Sequence, residues 1–161
     1  MNPDGVTGEE FERAKAKALL LLSYQQRTRF ELSERLSRPE YGFSPETAAA
    51  AVKAMDDEGL IDDRRYAADY IFDKTTLEFW GRRRIAQELN SKGVAPEIVG
   101  EAFKEALAGA DIDDDETARL ALTKRYGQNW RDMPPSAKRK AIAYLFRLGH
   151  DPSVLFESAK D

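Results

Sequence analysis

The sequence predicts an all-α protein, an elongated curved array of three tandem three-helix repeats, and three observations carry that prediction. A corner of the form glycine, one residue, a small or capping residue, then proline occurs three times: Gly42-Phe43-Ser44-Pro45, Gly93-Val94-Ala95-Pro96 and Gly149-His150-Asp151-Pro152. The segments between corners place apolar residues at helical spacing. No run of alternating apolar and β-branched residues is long enough for a strand. Glycine tolerates the left-handed position just past a helix end, and proline suits the first turn of the next helix, so each corner reads as a tight helix-to-helix connection. Ser44 and Asp151 are good N-caps, whereas Ala95 is not.

Working outward from the corners predicts nine helices. Thr7 and Glu10 are spaced as a capping box ahead of Phe11, Ala14, Ala18, Leu21 and Leu22. Thr28 and Glu31 form a second box opening a short helix that turns Phe30, Leu32 and Leu36 inward. The third helix runs from Pro45 to Glu58 and is closed by Gly59. Asp62 or Asp63 caps a fourth helix with Tyr66, Ala67, Tyr70 and Ile71, and a fifth follows from about Arg82 to Ser91. A sixth extends from Pro96 to Ala108. The acidic stretch Asp111 to Glu116 is a linker merging into a first turn, where carboxylates favour the dipole. Helix seven spans Thr117 to Tyr126, helix eight carries Ala141, Ile142, Leu145 and Leu148, and helix nine starts at Pro152. The corresponding organisation is a flexible 1–8, repeats at 9–61 and 62–110, and an acidic linker with the third repeat at 111–161.

Composition narrows the function. The net charge of −4 argues against bulk binding to free nucleic acid, which depends on neutralising phosphates. With no cysteine, disulfides and thiolate chemistry are excluded, as suits a reducing compartment. The longest apolar run, Ala18 to Leu22, is far too short to cross a bilayer, so the expectation is a cytoplasmic protein without a membrane partner. No phosphate loop, activated nucleophile or metal-ligand cluster stands at a catalytic spacing, and no cofactor is expected. Asp56 and Asp57 are adjacent on a helix and point apart, Asp113 to Asp115 lack calcium-loop spacing, and the lone His150 has no ligand pair.

The stretch Glu58-Gly59-Leu60-Ile61-Asp62-Asp63-Arg64-Arg65-Tyr66-Ala67, followed by Gly81-Arg82-Arg83-Arg84-Ile85-Ala86-Gln87-Glu88-Leu89-Asn90-Ser91-Lys92-Gly93-Val94, resembles the RecX family of bacterial RecA regulators. Weaker similarity covers most of the chain, from about Arg13 to Ser158. The resemblance implies a helical protein of tandem three-helix repeats. It also implies binding to the RecA recombinase, typically in the groove of its filament on DNA, with suppression of ATP hydrolysis, strand exchange and coprotease activity. Modulation of DNA repair and of the SOS response would follow. The segment Asp73 to Trp80 departs from the family pattern, being neutral to acidic and aromatic where the family is usually basic.

Aligned on their corners, with an insertion near Pro39 and Glu40 in the first, the repeats place Arg29, Arg82 and Lys138 at one position. Arg83 then matches Arg139 and Arg84 matches Lys140, so two basic runs are expected to open equivalent helices. Cations there oppose the helix dipole. A solvated face is the ordinary reading of such a run. Recurrence at one repeat position adds a second, contact with an anionic surface, either the acidic side of a protein filament or single- or double-stranded DNA inside it. These seven residues are the candidate partner-binding set of an expected monomer. Trp80 and Trp130 read as hydrophobic plugs of their loops, with an interface anchor as the alternative. A helix-turn-helix DNA-binding protein is the alternative, but Glu46, Thr47, Glu97, Ile98, Ser153 and Val154 supply few base-edge or phosphate donors.

Overall fold

The computed structural model describes residues 7–108 and 113–157. Most of the segment read as a flexible start, Asp111 of the acidic linker and Ser158 lie outside the described residues. Eight α-helices are present, α1 (Gly8–Tyr24), α2 (Arg29–Leu36), α3 (Pro45–Asp57), α4 (Asp63–Thr76), α5 (Arg82–Ser91), α6 (Pro96–Ala106), α7 (Asp114–Tyr126) and α8 (Pro135–Leu148). Short 3₁₀ turns occur at Pro39–Tyr41, Trp130–Asp132 and Pro152–Phe156. Among the described residues there is no strand.

Each group of three helical segments closes its own core. Ala14, Ala18, Leu21, Leu32, Leu36, Ala51 and Met55 pack in the first unit. The second buries Ala67, Ile71, Ile85, Leu89, Val99 and Phe103, and the third Ala118, Leu122, Trp130, Ala141, Leu145 and Val154. The register that pairs Arg29 with Arg82 also pairs Ala14 with Ala67 and Ala18 with Ile71, all fully buried. Trp130 plugs the third core as its sequence position suggested, and Trp80 packs against both the second and third cores.

The corners form for the expected reason. Gly42, Gly93 and Gly149 have φ of 66°, 78° and 92°, the left-handed region that penalises a Cβ. At the second and third corners the next amide returns to the carbonyl five residues back, Val94 N to Leu89 O (3.0 Å) and His150 N to Leu145 O (2.9 Å), which closes α5 and α8. Ser44 accepts from Thr47 N and Asp151 from Ser153 N, while Ala95 makes no side-chain cap.

Three expectations need correction. Phe30, expected to turn inward from α2, is 47% exposed and lies against Gly93 at the second unit's corner rather than in the first core. The ninth helix is a five-residue 3₁₀ turn, Pro152–Phe156, too short for a ladder of α-type bonds. Helix α8 starts at Pro135, a turn before Lys138, because Pro135 occupies its favoured first position and Pro134 O accepts from both Ala137 N and Lys138 N at 3.0 Å. The run Lys138-Arg139-Lys140 therefore lies in the second turn, where the dipole penalty has largely decayed.

Candidate partner-binding surface

The three units are held by two joints built on one plan: the N-terminus of each second helix seats on the last turn and corner of the next unit's second helix. At the first joint the buried Thr28, N-cap of α2, accepts from Glu31 N (3.1 Å) and donates its hydroxyl to Lys92 O (2.6 Å). Glu31 closes the capping box on Thr28 N and pairs with Lys92 Nζ at 2.9 Å. Burial pulls the Lys92 ammonium down, but Glu31 and the neighbouring Tyr66 and Tyr70 more than offset it, and its affinity for a proton is raised. Arg29 N donates to Asp63 Oδ1 (2.9 Å), the first residue of α4. Burial pushes the Asp63 carboxyl up, against the opposing pull of that amide and the Arg29 charge.

The second joint repeats the pattern one unit on. Gly81, N-cap of α5, donates its amide to Leu148 O (2.7 Å), and Arg82 N donates to Asp114 Oδ1 (3.0 Å), the first residue of α7. His150, the corner residue of the third unit, is buried, with Nε2 2.7 Å from Phe79 O. A carbonyl can only accept, so Nε2 carries the proton and the ring pins Phe79, a non-glycine residue at φ 56°.

The candidate cations divide at these joints. Arg29 pairs with Asp56. Arg83 donates to Phe146 O (2.7 Å) and lies 4.4 Å from the Phe146 ring; Arg84 donates to Arg147 O (3.3 Å) and stacks 3.6 Å from the centre of the Trp80 ring. Arg82 lies 4.3 Å over Phe103. The positive charge at the start of α5 therefore neutralises the negative end of α8 and satisfies two of its last carbonyls. Lys138 is half-buried, and Arg139 and Lys140 are exposed; none of the three takes part in an ion pair among the described residues. The sequence placed these seven residues at three successive repeat positions but could not distinguish those that fasten a joint from those left on the surface.

Other groups resolve into local roles. Asp56 and Asp57 point apart, to Arg29 and Lys53 respectively. Asp113 caps α7 through Glu116 N. Thr47, at the start of α3, is buried. No cluster of three or more potential metal ligands occurs among the described residues, and no described helix is long and apolar enough to cross a membrane.

Two family models match this chain, "RecX, first three-helix domain" over residues 14–53 and "RecX, second three-helix domain" over residues 62–102. The Regulatory protein RecX of Mycobacterium sp. (strain KMS) is 30% identical over 159 residues, which cover 97% of this chain and 84% of that relative. The crystal structure of RecX from Lactobacillus salivarius superposes with a TM-score of 0.74 at 21% identity, covering 93% of this chain and 94% of the other, and shares its fold. A second crystal structure, of a regulatory protein RecX, gives a TM-score of 0.72 at 27% identity, over 90% of this chain and 70% of that one.

Proposed function

The chain belongs to the RecX family, and from that premise we propose that it binds the RecA recombinase or its filament on DNA. In this reading it inhibits ATP hydrolysis, strand exchange and coprotease activity, and so modulates DNA repair and the SOS response. The observation that carries the reading is likeness to a Regulatory protein RecX along 97% of this chain, both matched units included. The joints support it, because they hold successive units in one register, and a body of repeats suits a polymer of repeated subunits. The protein acts as a cytoplasmic monomer that uses binding rather than catalysis.

Within the basic set, Lys138, Arg139 and Lys140 are the direct contacts, since their charges are not spent inside the chain. Arg29, Arg82, Arg83 and Arg84 serve first in the joints, and the exposed Arg82 and Arg83 add to the same positive field. The test is the rate of DNA-stimulated ATP hydrolysis by the cognate RecA as this protein is titrated in. Inhibition is expected, and no inhibition by a folded sample overturns the reading. Reversing Lys138, Arg139 and Lys140 to glutamate should weaken inhibition about tenfold and flatten its salt dependence, at roughly 0.5 kcal/mol for each exposed charge. A sharp preference for one duplex sequence, with no effect on RecA, would instead favour the helix-turn-helix alternative.

A further inference from the structure

A small cavity of about 170 Å³ lies beside the first joint, with Leu22, Arg27, Leu60, Asp62, Arg65 and Tyr66 in its lining. Arg27 directly precedes Thr28, the N-cap of α2. Its Nε is buried without a hydrogen-bond partner, and the side chain enters no ion pair among the described residues. In the register that pairs Arg29 with Arg82, the counterpart of Arg27 is Trp80, which packs on two cores. The register that pairs Asp63 with Asp114 sets Arg65 opposite Glu116. An apolar ring therefore suffices at this place in the second joint, whereas the first holds a guanidinium there at a desolvation cost that a ring would not carry. Nearby charges do not offset that cost. Arg65 is exposed and meets Asp69 only at 4.0 Å. Asp62 engages Oδ1 with the amide of Arg65 (3.0 Å) as the cap of α4. Burial first, then the charge of Glu31, pushes the Tyr66 hydroxyl up against the pull of Lys92 and Arg27, so it keeps its proton at neutral pH and can donate.

We propose that this cavity is a carboxylate site, the seat of one aspartate or glutamate side chain of a protein partner. That the partner is RecA rests on the reading above; the carboxylate chemistry does not. Two guanidiniums and a phenol hydroxyl supply donors, and the acid of the lining is already engaged as a cap, so the set suits an anionic acceptor. The volume falls below the roughly 300 Å³ of the smallest clefts that hold a drug-sized ligand, which fits the tip of one side chain and not a nucleotide. Leu22 and Leu60 give apolar walls for the methylene stem of such a side chain. DNA is the poorer match. Its duplex carries a negative charge about every 1.7 Å, and a strand laid across this cavity would meet Asp56, Asp57, Glu58 and Asp63 in the segment that lines it. Charge complementarity thus favours an isolated carboxylate. The cavity belongs to the first joint and Lys138 to the third unit, so the two are separate contacts on one body, and each adds to the affinity of the other.

The test follows the Arg27 Nε–Hε NMR cross-peak of the isotope-labelled full chain as sodium propionate is added, with sodium chloride at matched ionic strength as the control. A saturable shift of that peak and of the Arg65 amide is expected with propionate alone. Read at the Arg65 amide, Arg27→Met should raise the apparent Kd about fivefold; Arg65→Gln, read at the Arg27 peak, should raise it about twofold. Arg27→Met should melt at or above the parent, because the guanidinium serves a ligand and not the joint. If it melts lower, the exposed Arg65→Gln decides, and an unchanged Kd there overturns the proposal. In the RecA ATP-hydrolysis titration the double variant should need about tenfold more protein for half-inhibition. The proposal is also overturned if chloride moves the peaks as propionate does, or if the folded double variant inhibits RecA as the parent does. Inorganic phosphate or oligo-dT binding here more tightly than propionate makes this a nucleic-acid site and overturns it as well. A parent that binds propionate at Arg27 yet leaves RecA active overturns the RecA reading alone, whereas one that inhibits RecA with the Arg27 peak unmoved overturns this site alone.

Discussion

The two joints share a register but differ in which atoms reach across. At the first, a side chain spans the gap: the Thr28 hydroxyl meets Lys92 O at 2.6 Å, braced by the Glu31–Lys92 pair. At the equivalent place in the second, Gly81 has no side chain to offer and backbone meets backbone, Gly81 N reaching Leu148 O at 2.7 Å, while Arg83, Arg84 and His150 add side-chain bonds around it. A Cβ on Gly81 would stand 2.4 Å from Gly149 O. What the repeats keep in common is the acceptor, a carbonyl at the end of the next unit's second helix, and the aspartate that receives the following amide. The donor is free to change between hydroxyl and amide, provided the helices approach or separate to suit. A side-chain joint tolerates variation in spacing; a glycine joint fixes it.

Glycine substitutions test this difference most severely. Gly81→Ala should cost about 3 kcal/mol, since the new methyl meets backbone that has nowhere to yield. Gly93→Ala and Gly149→Ala should cost a similar amount. Both have positive φ, and their new Cβ atoms would lie 2.2 Å from Phe30 Cβ and 2.6 Å from Arg84 N. Gly42→Ala should cost only about 1 kcal/mol, because that corner faces no joint and a Cβ there has nothing within 4 Å. Urea denaturation of the four variants checks the order, and equal costs at Gly42 and Gly93 would break the account of the corners as joint surfaces.

A smaller effect is expected on the side-chain joint. Thr28→Val should cost about 2 kcal/mol, combining a lost N-cap with an unsatisfied Lys92 carbonyl, whereas Thr28→Ser should recover most of it. Serine performing no better than valine in the same denaturation assay would show that shape, not the hydroxyl, matters at this joint.

The mildest contrast lies between two aspartates. Asp63, pushed up first by burial, takes its proton more readily folded than unfolded, so protonation favours the folded state as pH falls through its folded pKa. Asp151 is held low by its hydrogen bonds to Ser153; its contribution is present above the ordinary aspartate range and lost as pH falls through the lowered folded value. Carbon-detected NMR titration should find the Asp63 midpoint above that of Asp151, and the reverse order would contradict both assignments.

Much of the fold was legible because the corners are local. Gly-x-cap-Pro is decided within one turn of chain, as is the capping box of Thr28 and Glu31, and both form as read. Thr7 behaves as a cap, but Glu10, its expected partner, accepts instead from Ser44 N at 2.7 Å, a contact set by how α1 lies on the first corner. The candidate surface was less legible for the same reason. Whether Arg84 faces solvent or stacks on Trp80 depends on where the third unit docks, which no periodicity within α5 encodes.

The extra turn of α8 has a consequence for how long such an array can be. The residue equivalent to Thr28 and Gly81 is Ala137, and its amide is already consumed by Pro134 O within the helix. The coupling is head-to-tail, like that of railway carriages, and the third unit has its forward hook folded away. At the other end the Gly42 corner stands open. By this geometry, a duplicated unit could be inserted before the first or between existing ones, but not coupled behind the third without first unwinding Pro134 to Ala137.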